Sequence, residues 1–155
     1  MDGARRASVA DLGRLAELAS VASAELAPLR GGDLFVAREA RRPPFEEGFA
    51  ADLEADRIVL CGTVDDVVVG YAVGDVERLA DGRLLGRVVD LFVEADARGV
   101  GVGERLMDEL LTWFTARGCA GADAHALPGA RETKNFFETS GFSARLLVMH
   151  RRLTP

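Results

Sequence analysis

The sequence predicts a single mixed α/β domain in which a largely antiparallel sheet is flanked by helices. The chain has 155 residues, which is the size of one ordinary domain. Hydrophobic residues make up 48% of it, enough to build a sizeable core. Helical patterns lie towards both ends, and a β-rich centre with short turns lies between them. We therefore expect residues 1–155 to form one domain.

The first helix is predicted from its capping residues and from the spacing of its apolar side chains. Ser8 and Asp11 are typical of a helix start, with a serine N-cap and an acidic residue near the helix N-terminus. Apolar side chains then recur at steps of three and four residues, at Leu12, Leu15, Leu18, Ala22 and Leu26. Pro28 ends this helix. The arginine-rich stretch Leu29–Pro44 is predicted to be a loop, and a short helix is predicted over Phe45–Ala55.

The centre of the chain is predicted to form three strands. The first runs over Ile58–Val64 and ends at a tight turn, Asp65-Asp66, and the second runs over Val67–Val76. The third begins at Leu84 or Gly86 and ends at Glu94. Because parallel neighbours need a crossover of a dozen or more residues, these short connections favour an antiparallel meander.

The last third returns to alternating helices and strands. A helix is predicted from Gly101 or Val102 to Arg117, and Cys119–Leu127 follows as a strand. This strand–helix–strand order is typical of a parallel crossover. A further helix over Ala130–Ser140 and a final strand over Ala144–Leu153 complete the prediction.

Composition and spacing exclude several classes of function. With 19 basic and 25 acidic residues the net charge is −6, whereas a broad nucleic-acid surface needs a basic excess, so we expect no nucleic-acid partner. No apolar stretch reaches the roughly 18–20 residues that span a bilayer, so no membrane partner is expected. Cys61 and Cys119 lie in separate apolar segments, as in reduced core thiols, and we expect a cytoplasmic protein. The separated cysteines and histidines predict no metal site.

The most informative segment lies at residues 91–103, where a strand leads through alternate glycines into a helix. Glycine lets the backbone turn tightly and approach a ligand closely. The first turn of a helix has unpaired N–H groups and a partial positive charge, which together favour phosphate oxygens. Arg98 adds a bidentate donor beside them. The segment therefore indicates a phosphate site, the alternative being a close contact between strand and helix.

Two common nucleotide motifs do not fit this segment. The dinucleotide pattern GxGxxG, begun at Gly99, requires glycine where the chain has Glu104. A Walker-type loop requires lysine, and the only lysine is Lys134. The pattern that fits is Arg/Gln-x-x-Gly-x-Gly/Ala, typical of acyl-CoA enzymes and matched by residues 98–103.

With this loop the chain resembles the GNAT superfamily, the Gcn5-related N-acetyltransferases. Ser8–Leu12 looks like the family's first-helix opening, and Asp90–Val93 followed by Arg98 looks like its fourth strand and pyrophosphate loop. Phe136–Phe142 is similar to the late Phe-Tyr-Glu-x-x-Gly-Phe signature. The resemblance implies the GNAT fold over nearly the whole chain, with acetyl-CoA as cosubstrate.

The resemblance also implies cofactor-binding residues. Backbone N–H groups of the loop would bind the CoA pyrophosphate, at Arg98, Gly99, Val100, Gly101, Val102 and Gly103. The exposed strand backbone at Leu91, Phe92 and Val93 would pair with the pantetheine arm. The family's asparagine and alanine on the following helix fall on Ala130 and Thr133, so we expect Asn135 to contact the pantetheine amides instead.

The predicted catalytic base is Asp90. An amine attacks only when neutral, so a carboxylate must take its proton, and Asp90 matches the family's acidic position on the fourth strand. Regular alternation places Val88, Asp90 and Phe92 on one face, where apolar neighbours raise a carboxylate pKa. Glu94 is the second candidate. The alternative for Asp90 is a strand aspartate that is exposed or paired with an arginine.

The general acid departs from the family, because Phe137 occupies the position of the usual tyrosine. Thiols have a pKa of about 8.5, so water can suffice for the leaving thiolate. His125, near the end of a predicted strand, is a further candidate for proton transfer. We expect an N-acetyltransferase acting on an amine of a small molecule or protein, as a monomer or homodimer. The alternative is a weakly active or inactive acyl-CoA-binding regulatory module.

Overall fold

The computed structural model describes residues 3–155 and has ten helices and strands that organise the fold. In chain order these are β1 Gly3–Arg6, α1 Leu12–Leu26, α2 Gly32–Arg38, α3 Phe45–Glu54, β2 Ile58–Val64, β3 Val67–Arg78, β4 Leu84–Val93, α4 Val102–Ala116, β5 Gly121–Asp123 and α5 Arg131–Thr139. The strands form one sheet in the order β1-β2-β3-β4-β5. Only the β4–β5 pair is parallel among them. The predicted fold class is confirmed.

The sheet separates two apolar layers. On one face α1 and α3 bury side chains such as Leu15 and Phe49 against β2 and β3. On the other face α4 buries Leu106, Leu110 and Phe114. Gly86 on β4 allows this close packing, because a Cβ there would lie 2.7 Å from the Phe114 ring.

A β-bulge in β4 changes which side chains share a face. Val88 pairs with Gly74 and Asp90 pairs with Val73, so Val89 is an extra residue without a partner in the register. Val88 therefore packs with the α4 layer, whereas Phe92 packs with the α1 layer. The prediction that Val88 lies on the same face as Asp90 and Phe92 is wrong, since it assumed an unbroken alternation.

Most predicted elements agree with the structure to within a few residues, and the turn at Asp65-Asp66 has positive φ at both residues. The predicted loop over 29–44 is wrong in part, because it contains α2. The sequence pattern gives no indication of β1. The predicted strand over 119–127 is reduced to three residues, because the chain pairs with β4 only at residues 121–123.

The predicted final strand over 144–153 does not form. Residues 143–155 have no regular secondary structure, and none of their backbone N–H or C=O groups bonds to the backbone of residues 3–155. A strand exists only where a neighbouring strand supplies its ladder of hydrogen bonds. The composition of this segment favours a strand, but the described chain provides no partner for it.

Three further findings concern membrane-spanning helices, the cysteines and metal sites. No helix within residues 3–155 has the length and apolarity to cross a membrane. Cys61 is buried and Cys119 is half-buried, and both are free thiols. The same residues contain no cluster of histidine, cysteine and acidic side chains arranged to hold a metal ion.

Candidate acetyl-CoA and amine site

A cleft opens where β4 and β5 separate. The two strands pair only between Leu85–Arg87 and Gly121–Asp123, and beyond these residues the edge of β4 faces open space. The cleft has a volume of about 660 Å³ and extends from α1 to α5. Its β4 wall includes all of residues 88–93. A splayed strand leaves backbone groups available to a ligand, and Leu91, Phe92 and Val93, which are predicted to bind the pantetheine arm, all lie in this wall.

The glycine loop forms one end of the cleft. Gly99 and Gly101 have φ of 84° and 89°, in the left-handed region that other residues avoid. Gly103 allows α4 to approach α5, because a Cβ there would lie 3.1 Å from the Phe136 ring. The backbone N–H groups of residues 99–103 donate no hydrogen bond within residues 3–155. These five groups therefore form a set of free donors at a helix N-terminus.

Three of the loop residues line the cleft, namely Arg98, Gly99 and Gly103. The side chain of Val100 is exposed, and Val102 is buried in the core, so these two can contribute only backbone groups. The backbone N–H of Arg98 differs from the rest, since it donates to the carbonyl of Ala95 at 3.3 Å.

Arg98 ties the loop to its surroundings. Its Nε donates to the Val93 carbonyl at 2.8 Å, and its guanidinium lies 3.3 Å from the Glu25 carboxylate on α1. The same guanidinium lies 5.6 Å from the centroid of the Phe92 ring. Its charge is therefore placed at the mouth of the cleft, close to the loop amides.

Asp90 lies in the cleft wall and is paired with a half-buried arginine. Arg41, from the segment between α2 and α3, donates through Nε to Asp90 Oδ2 at 2.8 Å. It also donates to Asp52 at 2.6 Å and stacks on the Phe49 ring at 3.9 Å. Burial raises the pKa of Asp90, and the charge of Arg41 only partly opposes this.

The ion pairs continue away from the cleft. Arg57 bridges Asp52 and Asp75 at 2.9 and 3.1 Å, and Arg87 reaches Asp75 at 2.7 Å. Aspartates and arginines thus alternate from Asp90 outwards. Because Asp52 contacts both Arg41 and Arg57, Arg41 retains a carboxylate partner whatever the charge of Asp90.

Sequence reasoning missed Tyr71, and it placed Arg41 in a predicted loop without linking it to Asp90. Tyr71 on β3 is 2% exposed, lines the cleft, and packs against Phe49 and Phe92 with ring centroids 5.2 and 6.2 Å away. Burial raises its pKa well above the usual value. The Tyr71 hydroxyl has no hydrogen-bond partner within residues 3–155. Since no fully buried side-chain polar atom of these residues lacks a partner, the hydroxyl retains some exposure. The only sequence signal is that it is the sole tyrosine, on a buried strand.

Phe137 lines the cleft in a cluster of rings with Phe136 and Phe142, with centroids 5.6 and 5.5 Å apart. It is 8% exposed and offers no proton. His125 also lines the cleft, edge-on to Phe35. The α5 side of the cleft thus combines these aromatic rings with polar side chains at the start of the helix, Arg131, Glu132 and Thr133.

Besides the loop residues Val100, Gly101 and Val102, two further predicted residues lie outside the cleft lining. Glu94 lies outside it, and both its carboxylate oxygens are 3.1 Å from an Arg14 nitrogen. Asn135 is exposed on α5 and is also outside the lining, whereas Thr133 from the same helix lies within it. The register of α5 therefore turns Thr133 towards the cleft and Asn135 away from it.

Comparisons with known proteins agree with this architecture. Residues 25–142 match the model of the acetyltransferase (GNAT) family. A curated relative, glucosamine 6-phosphate N-acetyltransferase 1 of Oryza sativa subsp. japonica, is 32% identical over 117 residues, covering 72% of this chain and 67% of the relative.

Two solved structures are similar in fold. A mutant of the BH1408 protein from Bacillus halodurans matches with a TM-score of 0.85 at 20% identity, over 97% of this chain and 99% of that one. An aminoglycoside acetyltransferase from an uncultured soil metagenomic sample, in complex with sisomicin, matches with a TM-score of 0.69 at 18% identity, over 98% and 95%. The chain belongs to the GNAT family of acetyltransferases.

Proposed function

We propose that this protein transfers an acetyl group from acetyl-CoA to the amine of a small molecule, using residues 1–155 as one catalytic domain. The observation that carries the proposal is the cleft itself. The glycine loop with its free amides lies at one end of it, where Gly99 and Gly103 reach the lining, and a half-buried carboxylate, Asp90, lies in its β4 wall. One ligand in the cleft can thus contact a phosphate site and a proton acceptor together.

The chain's own groups would hold acetyl-CoA in two places. The N–H groups of residues 99–103 would bind the pyrophosphate, with the Arg98 guanidinium as an additional donor. The backbone of Leu91, Phe92 and Val93 would bind the pantetheine arm along the open edge of β4. Thr133, rather than Asn135, is the α5 side chain positioned towards this arm.

Asp90 is the proposed base. It accepts a proton from the incoming ammonium, and the neutral amine then attacks the acetyl carbonyl. The carbon–sulfur bond breaks, CoA leaves as the thiolate, and the nitrogen gives up its second proton, which neutralises the thiolate directly or through water. Protonation of Asp90 does not leave an uncompensated buried charge, because Arg41 remains paired with Asp52 at 2.6 Å. Arg41 is therefore a positioning residue for the carboxylate. Glu94 is disfavoured as the base, since its carboxylate is engaged by Arg14 outside the cleft.

Tyr71 is the proposed hydrogen-bond donor to the reacting groups, since Phe137 cannot donate. We expect Tyr71→Phe to lower kcat by about 10–100-fold, below the upper range for general acids, because water can replace part of this role. The KM for acetyl-CoA should change little. The measurement is steady-state kinetics of thiol release.

A rescue experiment accompanies this prediction. Adding Phe137→Tyr to the Tyr71→Phe variant supplies a hydroxyl from the α5 side of the cleft, and should restore part of kcat. An unchanged kcat in Tyr71→Phe, together with a rise in kcat when Phe137→Tyr is made alone, would show that Tyr71 has no such role.

The acceptor class is tested with a panel of amines. The curated relative is named for glucosamine 6-phosphate and one structural neighbour for aminoglycosides, so amino sugars enter the panel beside alkylamines and peptides. We expect acetyl-CoA to raise the melting temperature of the protein and amino sugars to give the fastest thiol release.

The same measurements test the alternative function, an acyl-CoA-binding regulatory module with weak or no activity, which is retained because Phe137 cannot donate a proton. Stabilisation by acetyl-CoA without thiol release from any amine would favour this module. No stabilisation by any CoA compound would contradict both functions.

A further inference from the structure

The guanidinium of Arg41 is shared between two carboxylates, only one of which lies in the cleft. Its Nη2 donates to Asp52 Oδ2 at 2.6 Å and lies 3.5 Å from Asp90 Oδ1, while its Nε donates to Asp90 Oδ2 at 2.8 Å. One nitrogen therefore serves both aspartates, and its shorter contact is to Asp52. The Arg41 side chain is only 11% exposed and stacks on the Phe49 ring, so the guanidinium is confined between the two carboxylates. A change at Asp52 must alter how Arg41 interacts with Asp90.

Asp52 is in turn shared between two arginines. Its Oδ2 accepts from Arg41, and its Oδ1 accepts from Arg57 at 2.9 Å. Arg57 also lies 3.1 Å from Asp75, which Arg87 contacts at 2.7 Å. Asp52 and Asp75 are 7% and 6% exposed, so their charges are poorly solvated and depend on these arginines. Arg57 thus supplies part of the positive charge that Asp52 would otherwise take from Arg41 alone.

The charges nearest to Asp90 alternate in sign. Burial raises the pKa of Asp90, the charge of Arg41 opposes this, Asp52 adds to the rise, and Arg57 opposes it again. Tyr71 on β3 is the neighbouring titratable group, and its pKa is raised by burial and by the charge of Asp90. The remaining charged or titratable side chains of the cleft lining are Glu25, Arg98, Glu104, His125, Arg131 and Glu132. Asp52 and Arg57 do not belong to the lining, so they can affect a ligand there only through Arg41 and Asp90.

We propose that Asp52 and Arg57 are positioning residues for the base, because together they fix how the charge of Arg41 is divided between Asp52 and Asp90. Asp52 draws the guanidinium away from the cleft, and Arg57 limits this pull by neutralising Asp52. Asp90 is thereby kept between two unproductive extremes. A tight ion pair with Arg41 would make it a poor proton acceptor, and an unpaired acid in this apolar site would already hold a proton. The proposal rests on the proposed role of Asp90 as the base.

Removal of the two outer charges should move the pKa of Asp90 in opposite directions. In Asp52→Asn, Asp90 becomes the only carboxylate bonded to Arg41, so ionised Asp90 is favoured and the acidic limb of kcat/KM moves to lower pH. In Arg57→Met, Asp52 competes for Arg41 without a second cation, so ionised Asp90 is less stable and the limb moves to higher pH. Each shift should be about half a pH unit or more, as expected when one charge is removed from a partly buried cluster.

Two readouts and two controls make the test specific. The pKa is measured directly by NMR titration of the Asp90 carboxyl carbon, whose signal is assigned by its loss in Asp90→Asn, and the pH profile of kcat/KM is measured in parallel. Arg57→Lys retains the charge and should titrate closer to the wild type than Arg57→Met does. Arg83→Met removes an arginine that is paired with Asp81 at 2.8 Å in the turn between β3 and β4, and it should leave both readouts unchanged.

The variants are expected to fold. Arg57→Met leaves neither of its aspartates without a partner, because Asp52 retains Arg41 and Asp75 retains Arg87. Asp52→Asn preserves the volume of the side chain and an oxygen that accepts from Arg41. Melting temperatures check this, and if Asp52→Asn folds poorly, Arg57→Met and Arg57→Lys test the direction of the shift by themselves.

Opposite shifts in Asp52→Asn and Arg57→Met, seen in both readouts, support the proposal. Shifts of the same sign overturn it, as does a loss of kcat/KM at every pH without displacement of the limb, because a purely structural role would act in that way. A limb that Asp90→Asn removes but that neither variant displaces would overturn the positioning role and leave Asp90 as the base. Opposite NMR shifts in a protein whose activity has no acidic limb would instead overturn the assignment of Asp90 as the base, and the positioning role with it.

Discussion

Replacing Asp90 with asparagine is expected to lower kcat/KM for acetyl transfer by about 10²–10⁴-fold at neutral pH, the range typical of a lost general base. Asparagine preserves the volume of the side chain and an oxygen that accepts from Arg41. The variant should therefore fold and bind acetyl-CoA as the wild type does. The measurement is thiol release under single-turnover and steady-state conditions, with acetyl-CoA affinity measured separately.

The dependence of activity on pH tests whether Asp90 acts in its deprotonated form. Asp90 acts as a base only when it is deprotonated, so wild-type activity must fall as the pH decreases through its pKa. Because burial raises that pKa, the acidic limb should lie above the usual aspartate value of about 3.9. The limb should disappear in Asp90→Asn. The defect should also shrink for an acceptor amine of low pKa, which is already neutral and needs no base.

Asp52→Asn is the control that separates a base from a structural partner. Asp52 is 7% exposed and pairs with the same Arg41, but it does not line the cleft. If Asp90 only fixed Arg41 in place, the two substitutions would cost similar activity and neither would remove the acidic limb. A large loss in Asp90→Asn alone, with recovery on a neutral amine, supports the proposed role.

The parts of the site that the sequence predicted are those encoded by local chemistry. Alternate glycines before a helix specify a positive-φ loop with free amides, and Gly99 and Gly101 have that conformation. The position of Asp90 on β4 follows from its distance to this loop along one strand. Such features depend on neighbours in the sequence, so spacing alone is sufficient to place them.

The parts that the sequence did not predict depend on distant contacts. The bulge at Val89 arises from the register against β3, and it alone moves Val88 to the other face. Arg41 lies 49 residues from Asp90 in the chain and reaches it because α1, α3 and the sheet pack together. Residues 143–155 have a strand-forming composition yet form no strand, because a strand in a sheet requires a partner that the described residues 3–155 do not supply.

Gly101→Glu is expected to weaken acetyl-CoA binding by about 100-fold or more. The substitution places a carboxylate where loop amides would meet phosphate, and it strains a residue whose φ is 89°. A loss of about 100-fold equals about 3 kcal/mol, which is the contribution of one or two charge-assisted hydrogen bonds. Titration calorimetry with acetyl-CoA measures the change directly.

The matched control is Gly82→Glu, in the turn between β3 and β4. Its φ is 90° and a Cβ there meets no atom within 4 Å, so it imposes the same backbone strain away from the cleft. Both variants should lose similar thermal stability, while only Gly101→Glu should lose affinity for acetyl-CoA.

Pantetheine separates a phosphate site from a general disturbance of the cleft. It lacks the pyrophosphate and the 3′-phosphoadenosine, so its affinity, measured by the same titration calorimetry, should be nearly equal in the wild type and in Gly101→Glu. If pantetheine and acetyl-CoA weakened by the same factor, the loop would act through the shape of the cleft and the free amides of residues 99–103 would not be a phosphate site. A loss confined to acetyl-CoA assigns the effect to the part of the ligand that pantetheine lacks, the pyrophosphate and the 3′-phosphoadenosine, and the amides of residues 99–103 are the groups proposed to bind its phosphates.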